Sequence, residues 1–189
     1  MQSTIFHLVG TPGVGKYTIG SGLARQTGAR LVDNHSINNV IFNLINQDGV
    51  TPLPAGIWPR IGRVRAAVLD TIVHVSPPEM SFVFTNFIRG EDDGEYAAFL
   101  EFVAVADARG SLYVPVLLSC ETPELMQRIV RPDRRARMKL IDPVEGARLN
   151  DHVPPFRTDH PHALALDVTR RAPADAVRAI LEWAEGLRL

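Results

Sequence analysis

The stretch Gly10-Thr11-Pro12-Gly13-Val14-Gly15-Lys16-Tyr17-Thr18 decides the fold. At its core, four residues separate a glycine from a second glycine that is followed by lysine. Glycines let the backbone turn so that several N–H groups point into one hollow, which suits phosphate oxygens. A lysine at the end of such a loop can reach the β- and γ-phosphates of a nucleotide and offset their charge. The pattern predicts that residues 10–18 bind a polyphosphate and that Lys16 is catalytic.

The surroundings of this loop agree with that interpretation. Residues 4–9 are a short apolar run rich in β formers, which is typical of a buried parallel strand. Residues 16–27 have the apolar spacing of a helix that ends at Gly28. The positive end of that helix would point into the loop. The alternative is a glycine-rich turn without a ligand, but the strand–loop–helix context favours phosphate binding.

The rest of the chain alternates in the same way. Further strands are predicted at 29–33, 81–85, 112–118 and 163–168. Helices are predicted at 40–45, 60–75, 95–108, from 123 onward and at 174–187, and loops at 49–59, 86–94 and 150–162. Five short strands that alternate with helices predict a three-layer α/β fold with a parallel sheet and right-handed crossovers. We expect residues 1–189 to form one domain.

The composition narrows the choice of partners and compartment. The chain has 189 residues, a formal net charge of −1 and a single cysteine, Cys120. Nucleic-acid and membrane surfaces attract a basic excess, so neither is an expected partner. One cysteine cannot form a disulfide framework within the chain, and a cytoplasmic location is the expectation. The N-terminus does not resemble a signal peptide, and no run of about 18 apolar residues predicts a membrane helix.

One position of the loop departs from the usual pattern. Ser or Thr normally follows the lysine directly and holds Mg²⁺, whereas here Tyr17 follows Lys16 and Thr18 comes next. The form GxPGxGKxT resembles that of adenylate kinases. The loop also begins within ten residues of the N-terminus, and an arginine-rich stretch follows the fourth predicted strand. In these features the chain resembles the nucleoside-monophosphate-kinase and shikimate-kinase group of P-loop proteins.

This resemblance implies a fold and an activity. The fold is the P-loop NTPase fold, with sheet order 2-3-1-4-5 and a small lid, here called the lid segment, at about residues 126–142. The activity is transfer of the γ-phosphate of ATP, with Mg²⁺, to a hydroxyl of a small molecule. The chain would be a monomer or a homodimer. Two alternatives stay open: a nucleoside or nucleotide kinase, and a nucleotide-binding protein with weak ATPase activity and a regulatory or resistance role.

Asp33 ends the second predicted strand, on the sheet edge that carries the phosphate loop. The resemblance implies that Asp33 takes the proton from an acceptor hydroxyl or holds water on Mg²⁺. Metal contacts would come from Thr18 or Asp33, together with waters and phosphate oxygens. The alternative for Asp33 is a cap of the helix that follows, since Asp is a good N-cap residue.

Candidate acceptor-binding residues follow the second and third predicted strands or lie in the helix between them. Amides and a histidine suit hydroxyls or a base edge, and arginines could clamp an acidic group. The candidate set is His35, Asn38, Arg65, Asn86 and Arg89. The alternatives are a solvated loop for the amides near residue 35 and a surface ion pair with Glu91 or Asp92 for Arg89.

The lid segment concentrates positive charge. It contains Arg128, Arg131, Arg134, Arg135, Arg137 and Lys139. These cations repel one another unless an anion is present, and arginine stabilises the charge that spreads during phosphoryl transfer. The resemblance implies nucleotide binding by Arg128 and, after the fifth strand, by Arg171. Arg131, Arg134 or Arg135 could reach the phosphates; of these, Arg131 is assigned to nucleotide binding and Arg135 to catalysis. A solvated basic face is the alternative; a nucleic-acid patch is weaker because no aromatic residues interleave the cations.

Overall fold

β1, the central strand, is buried along its whole length, as expected for a parallel strand covered on both faces. The computed structural model describes residues 3–45, 48, 50–90 and 93–188. Within them the elements are β1 Thr4–Val9, α1 Lys16–Thr27, β2 Arg30–Asp33, α2 Asn34–Phe42, α3 Ile57–His74, β3 Phe82–Asn86, α4 Asp93–Arg109, β4 Leu112–Ser119, α5 Thr122–Ile129, α6 Pro132–Arg135, α7 Pro143–His152, β5 Leu164–Asp167 and α8 Pro173–Gly186.

The five strands form one parallel sheet in the order β2-β3-β1-β4-β5. Ile5 of β1 lies beside Phe82 of β3 on one side and Tyr113 of β4 on the other. The predicted fold class and strand order are therefore confirmed. Because all strands run the same way, the ends of β1, β2 and β3 share one edge, where ligands bind in open α/β sheets.

Alternate side chains of the sheet contribute to two hydrophobic cores, one on each face. Phe6 and Leu8 pack on the side covered by α1 and α8, together with Leu23 and Ile180. Ile5 and Val9 belong to the core on the opposite face. That second core also holds the aromatic residues Phe82, Phe84, Phe99, Phe102, Tyr113 and Phe156. This period-two division of β1 gives the three layers that the alternation of strands and helices predicted.

A third, smaller cluster joins the lid segment to the body of the fold. Phe42 at the end of α2 packs with Ile57 and Ile61 of α3, and Met138 rests against them. Met138 has a left-handed backbone with φ of 52°, which is uncommon for a residue other than glycine. This turn lies immediately before Lys139 and sets the direction in which that side chain leaves the backbone.

Two helices differ from the sequence predictions. α7 was not predicted, and it occupies the start of the predicted loop 150–162. Its signals are Pro143 in the first turn and Asp142, whose carboxylate accepts from the backbone N–H groups of Val144 and Glu145 at 2.8 and 3.3 Å. α2 begins at Asn34, so the polar residues after β2 are helical and not in a loop. In the described part of the chain, no helix is long and apolar enough to span a membrane.

Candidate active site

The phosphate loop leaves the end of β1 and turns into α1. Gly13 and Gly15 have φ of 101° and 112°, a conformation that side-chain-bearing residues rarely adopt. A Cβ on Gly10 would lie 2.5 Å from the carbonyl oxygen of Leu118, so the first glycine permits close approach to β4. Gly15 is also the N-cap of α1, which directs the positive end of that helix into the loop.

Lys16 folds back over the loop. Its Nζ donates to the carbonyl oxygens of Gly10 and Thr11 at 2.5 and 3.0 Å. Burial lowers the pKa of Lys16 to about 7, and the nearby cations Lys139 and Arg134 lower it further in the same direction. The lysine is thus held among positive charges, in a place where a polyphosphate would supply the missing negative charge.

On one side of the loop lies a cavity of about 360 Å³, here called the Arg128 cavity. Its lining residues are Val14, Gly15, Thr18, Ile19, Glu124, Arg128, Arg131, Val168, Thr169, Arg170, Arg171, Ala172 and Pro173. Arg128 donates to the carbonyl oxygens of Val14 at 3.0 Å, Val168 at 2.8 Å and Thr169 at 3.2 Å, and pairs with Glu124 at 2.8 Å. It therefore ties the phosphate loop to the segment between β5 and α8.

The predicted nucleotide-binding arginines are placed around this cavity. Arg128 forms part of its wall, while Arg131 and Arg171 are exposed at its margin. Arg171 makes one long hydrogen bond, from Nε to the carbonyl oxygen of Asp167 at 3.4 Å. The two marginal arginines therefore have room to turn towards a ligand.

On the other side of the loop lies a cavity of about 300 Å³, here called the Asp33 cavity. It is lined by Tyr17, Leu31, Asp33, His35, Ser36, Asn39 and Arg137. Tyr17 lines this cavity and Thr18 lines the other, so the first turn of α1 separates the two. A group that lies over Lys16 between the cavities would be reached from both sides.

Asp33 is buried at the end of β2, with 7% of its surface exposed. Thr85 Oγ1 donates to Oδ1 at 2.6 Å, and Lys139 Nζ lies 3.0 Å from Oδ2 and 3.2 Å from Oδ1. Burial by itself would raise the pKa of Asp33, but Lys139 and Thr85 outweigh it and the pKa is lowered. Asp33 holds the N-cap position of α2 without a side-chain cap hydrogen bond, so the helix-cap alternative is wrong.

α2 presents a neutral, hydrogen-bonding face to the Asp33 cavity. Burial and the charge of Lys139 lower the pKa of His35 to about 4. His35 Nδ1 lies 3.4 Å from Asn39 Oδ1, and Asn39 Nδ2 donates to the Arg137 carbonyl oxygen at 3.2 Å. Residues four apart share a helix face, so Asn39, and not the predicted Asn38, accompanies His35 in the lining.

The lid segment folds over the same region. Arg134 donates to the Leu140 carbonyl oxygen at 3.0 and 2.8 Å, and its charge reaches Lys16 and Asp33. The predicted catalytic Arg135 is exposed and lines neither cavity. α6 is a single turn, and neighbouring residues on it point in different directions. The structure therefore directs Arg134 inward in place of Arg135.

The ring of Tyr17 packs against two cations of the lid segment. The Arg137 Cζ atom lies 3.6 Å from the centre of the Tyr17 ring, and Lys139 Nζ lies 4.6 Å from it. The guanidinium of Arg137 also lowers the pKa of the Tyr17 phenol. Neither the ion pair between Lys139 and Asp33 nor this stacking was predicted.

Besides Asn38, three predicted acceptor-binding residues lie outside both cavities. Arg65 joins α3 to α4 through Glu101, with Nε 3.0 Å from Oε2. Arg89 pairs with Glu95 at 3.5 Å; the suggested partners Glu91 and Asp92 lie outside the described residues.

Asn86, the third of them, supports the core. Its Oδ1 lies 3.0 Å from His7 Nε2, and His7 Nδ1 lies 2.7 Å from the Tyr113 hydroxyl. Burial lowers the pKa of His7 to about 3, so this imidazole is neutral. A neutral ring that donates from Nε2 and accepts at Nδ1 satisfies both partners.

The two predicted metal contacts are not brought together. Thr18 lines the Arg128 cavity and Asp33 the other, where Thr85 and Lys139 take both carboxylate oxygens. Among the described residues, no group of three or more His, Cys, Asp or Glu side chains could hold a metal ion. The donor set does not form a protein-built site. It fits a Mg²⁺ that arrives with a nucleotide and keeps phosphate and water oxygens as ligands.

We compared the sequence and the fold of this chain with those of known proteins. The sequence matches no protein-family model and no curated protein. A gluconokinase from Sinorhizobium meliloti is similar in structure over 98% of this chain and 93% of its own, with a TM-score of 0.63 and 15% identity. The chain has the P-loop kinase fold. Shikimate kinase from Acinetobacter baumannii, solved with shikimate, shares this P-loop kinase fold at a TM-score of 0.55 and 17% identity, over 99% and 96% of the two chains.

A nucleotide kinase is also similar to this chain. Thymidylate kinase from Candida albicans matches with a TM-score of 0.61 and 12% identity, over 99% of this chain and 93% of its own. The resemblance inferred from the phosphate loop and the order of elements is therefore confirmed at the level of the P-loop kinase fold.

Proposed function

We propose that this chain is an ATP-dependent phosphotransferase that moves the γ-phosphate to a hydroxyl of a small molecule. The observation that carries the proposal is the position of Asp33. Its buried, charged carboxylate lines a cavity on one side of the phosphate loop, opposite the larger Arg128 cavity. Two cavities on either side of the first turn of α1, next to a phosphate-binding lysine, suit a donor nucleotide and an acceptor.

The nucleotide would occupy the Arg128 cavity and the phosphate loop. The cavity of about 360 Å³ is of the size of small-ligand sites. The polyphosphate would extend over the N-terminal end of α1, where backbone N–H groups, Lys16 and Arg134 supply positive charge. Mg²⁺ would supply further charge neutralisation at the phosphates, and Asp33 or Thr18 would contact it through water.

Asp33 would act on the acceptor hydroxyl. A charged carboxylate accepts a hydrogen bond from the hydroxyl, orients its oxygen towards the γ-phosphate and receives the proton as the new O–P bond forms. Lys139 occupies both oxygens of this carboxylate. Together with Thr85 it leaves about one of the four acceptor sites of the carboxylate free, so the acceptor hydroxyl would take that site or displace the ammonium, and Lys139 would lie close to the transferred phosphate.

The acceptor cavity favours a small hydroxylated compound over a nucleoside monophosphate. Its lining offers the neutral His35, the Asn39 amide, the Ser36 hydroxyl and one guanidinium, that of Arg137. A nucleotide acceptor needs arginines around its phosphate, and the two candidates for that role, Arg65 and Arg89, are paired with glutamates outside the cavity. A cavity of about 300 Å³ accommodates a monosaccharide-sized molecule.

ADP release with a panel of acceptors tests the proposal. The panel comprises sugars, sugar acids, cyclitols, aminocyclitols, nucleosides and nucleoside monophosphates, each with ATP and Mg²⁺. We expect at least one hydroxylated compound to raise the rate of ADP release above hydrolysis by water, and Lys16→Ala to abolish the increase. A protein that binds ATP but whose turnover no member of the panel changes would favour the regulatory alternative.

A further inference from the structure

Tyr17 replaces the hydroxyl residue that usually follows the lysine of a phosphate loop. Its side chain lines the Asp33 cavity, and its ring contacts two cations of the lid segment. Arg137 stacks closely, at 3.6 Å from Cζ to the ring centre, and Lys139 lies at 4.6 Å. A ring that contacts both cations does more than fill space beside the loop.

The same two cations reach the Asp33 cavity. Arg137 lines it, and Lys139 pairs with Asp33 at 3.0 Å. The only ion-pair partner of Arg137 in the described part of the chain is Asp133, at the long distance of 4.0 Å. Cation–π stacking uses the face of a guanidinium and leaves its N–H edge for other partners. The Tyr17 ring therefore contacts the face of Arg137, while the Tyr17 phenol oxygen also accepts a hydrogen bond from its guanidinium.

Without this contact, electrostatic repulsion would favour opening of the lid segment. Burial lowers the pKa of Lys16 and of Lys139, and neighbouring cations lower it further: Lys139 and Arg134 act on Lys16, and Arg134 and Arg137 act on Lys139. Repulsion of this kind favours a lid that swings away from the loop until an anion enters. Contacts that oppose opening include the ion pair between Lys139 and Asp33, the hydrogen bond from Asn39 to the Arg137 carbonyl oxygen and the apolar contact of Met138 with the Phe42 cluster.

We propose that Tyr17 is a positioning residue that docks the lid segment on the phosphate loop through the face of its ring, and so places Arg137 and Lys139 at the acceptor. The inference rests on the proposed function only in naming the Asp33 cavity as the acceptor site. The docking itself concerns only the conformation of the lid segment relative to the phosphate loop. A serine at this position would restore the ordinary form of the loop and release the lid.

Limited proteolysis and hydrogen exchange test the docking without ATP or an acceptor. Trypsin can cut at several lid cations, and mass spectrometry separates these cuts from others. We expect Tyr17→Ser to speed lid cleavage and exchange of amides 134–139 roughly fivefold, the scale of two cation–π contacts. We expect Tyr17→Phe, which keeps the ring and loses only the phenol hydrogen bond to Arg137, to stay much closer to the wild type than to Tyr17→Ser. A Tyr17→Ser protein with wild-type rates, or a Tyr17→Phe protein as fast as Tyr17→Ser, would overturn the proposal.

Two controls keep a general loss of stability from imitating the result. Tyr96 on α4 is also partly exposed and packs on aromatic side chains away from the lid segment. Tyr96→Ser should leave lid cleavage unchanged. Amides of α8 report global opening, so an equal rise in exchange in α8 and at 134–139 in Tyr17→Ser would overturn the docking. Because no turnover is measured, the docking can fail while phosphate transfer is demonstrated, and the reverse.

Discussion

Lys139 and Asp33 form a buried ion pair that joins the lid segment to the end of β2. The Nζ atom lies 3.0 Å from Oδ2 and 3.2 Å from Oδ1, and the two side chains are 9% and 10% exposed. The partners are not equally mobile: Asp33 lies at the end of a sheet strand, whereas Lys139 belongs to a segment that follows a single helical turn. This asymmetry determines what the removal of each partner should do.

Lys139→Met should cost more stability than Asp33→Asn. The methionine leaves a charged carboxylate buried with Thr85 as its only remaining partner among the described contacts, and loss of one partner of a buried pair costs about 3–5 kcal/mol. In Asp33→Asn, the lysine can leave for water with the lid. Chemical denaturation of the two variants measures the difference, and equal losses of unfolding free energy would contradict it.

The loss of unfolding free energy in Lys139→Met should depend on pH. In the wild type the pKa of Asp33 is below its ordinary value of 3.8, so the pair contributes stability above that pH and loses it as the pH falls. In the variant, burial raises the pKa of Asp33, and protonation relieves the buried charge in acid. The gap in unfolding free energy between wild type and variant should therefore begin to narrow above pH 3.8, at the raised pKa of the variant, and narrow further below pH 3.8 as the wild type loses the ion pair. A gap that is constant from pH 7 to pH 3.5 would count against this assignment.

Asp33→Asn should impair transfer far more than nucleotide binding. Asparagine keeps the size of the side chain and loses the charge and basicity, so turnover should fall on the order of 10²-fold or more. Affinity for a non-hydrolysable ATP analogue, measured by calorimetry, should change little, because Asp33 does not line the Arg128 cavity. Full specific activity in this variant would remove Asp33 from the reaction.

Affinity for ATP should fall as the pH rises above 7. Lys16 has a pKa of about 7 in the free protein, and a bound polyphosphate raises it, so binding takes up a proton. The fall should approach tenfold per pH unit between pH 7 and the higher pKa of the complex. Calorimetry in buffers of different ionisation enthalpy measures the uptake. Lys16→Arg, which stays charged, controls for titration of the nucleotide, and an identical pH profile in the two proteins would refute the effect.

Arg128→Lys should weaken ATP binding and lower the melting temperature. Lysine keeps the charge but cannot reproduce the fork that bonds the carbonyl oxygens of Val14, Val168 and Thr169. Each lost bond to a charged donor is worth about 1.5–3 kcal/mol. Arg131→Lys is the matched control for stability, because Arg131 is exposed at the margin of the same cavity. Equal melting temperatures for the two variants would show that Arg128 does not tie the loop to the β5–α8 segment.

Local pattern allowed the phosphate loop and the position of Asp33 at a strand end to be predicted, whereas the strand order came from the resemblance to the kinase group. The ion pair between Asp33 and Lys139 joins residues that are 106 positions apart in the chain, so it could not be predicted from a sequence spacing. Arg134 and Arg135 were both candidates for reaching the phosphates, and the sequence could not separate them because the direction of a side chain on a one-turn helix is set by its contacts. The predicted helix began at residue 40, so the sequence did not show that His35 shares a helix face with Asn39 and not with Asn38; α2 begins six residues earlier, at Asn34.

Three arginine and amide assignments depended on position along the chain alone. Arg65 and Arg89 follow the order of elements in the resembling group, but each has a glutamate partner elsewhere on the surface. Asn86 ends β3 beside the loop, yet its side-chain oxygen contacts the buried His7. Polar residues at the correct edge of a sheet are thus necessary and not sufficient for a site, because neighbouring side chains compete for them.

Transfer of label from [γ-³²P]ATP tests the central claim most directly. Wild type and Asp33→Asn would be incubated with the acceptor that stimulates ADP release, and the products separated by chromatography. We expect wild type to place the label in an organic phosphate ester and Asp33→Asn to do so at least about 10²-fold more slowly. Label that appears only in inorganic phosphate, at a rate that no acceptor changes, would contradict the claim that this chain is a phosphotransferase.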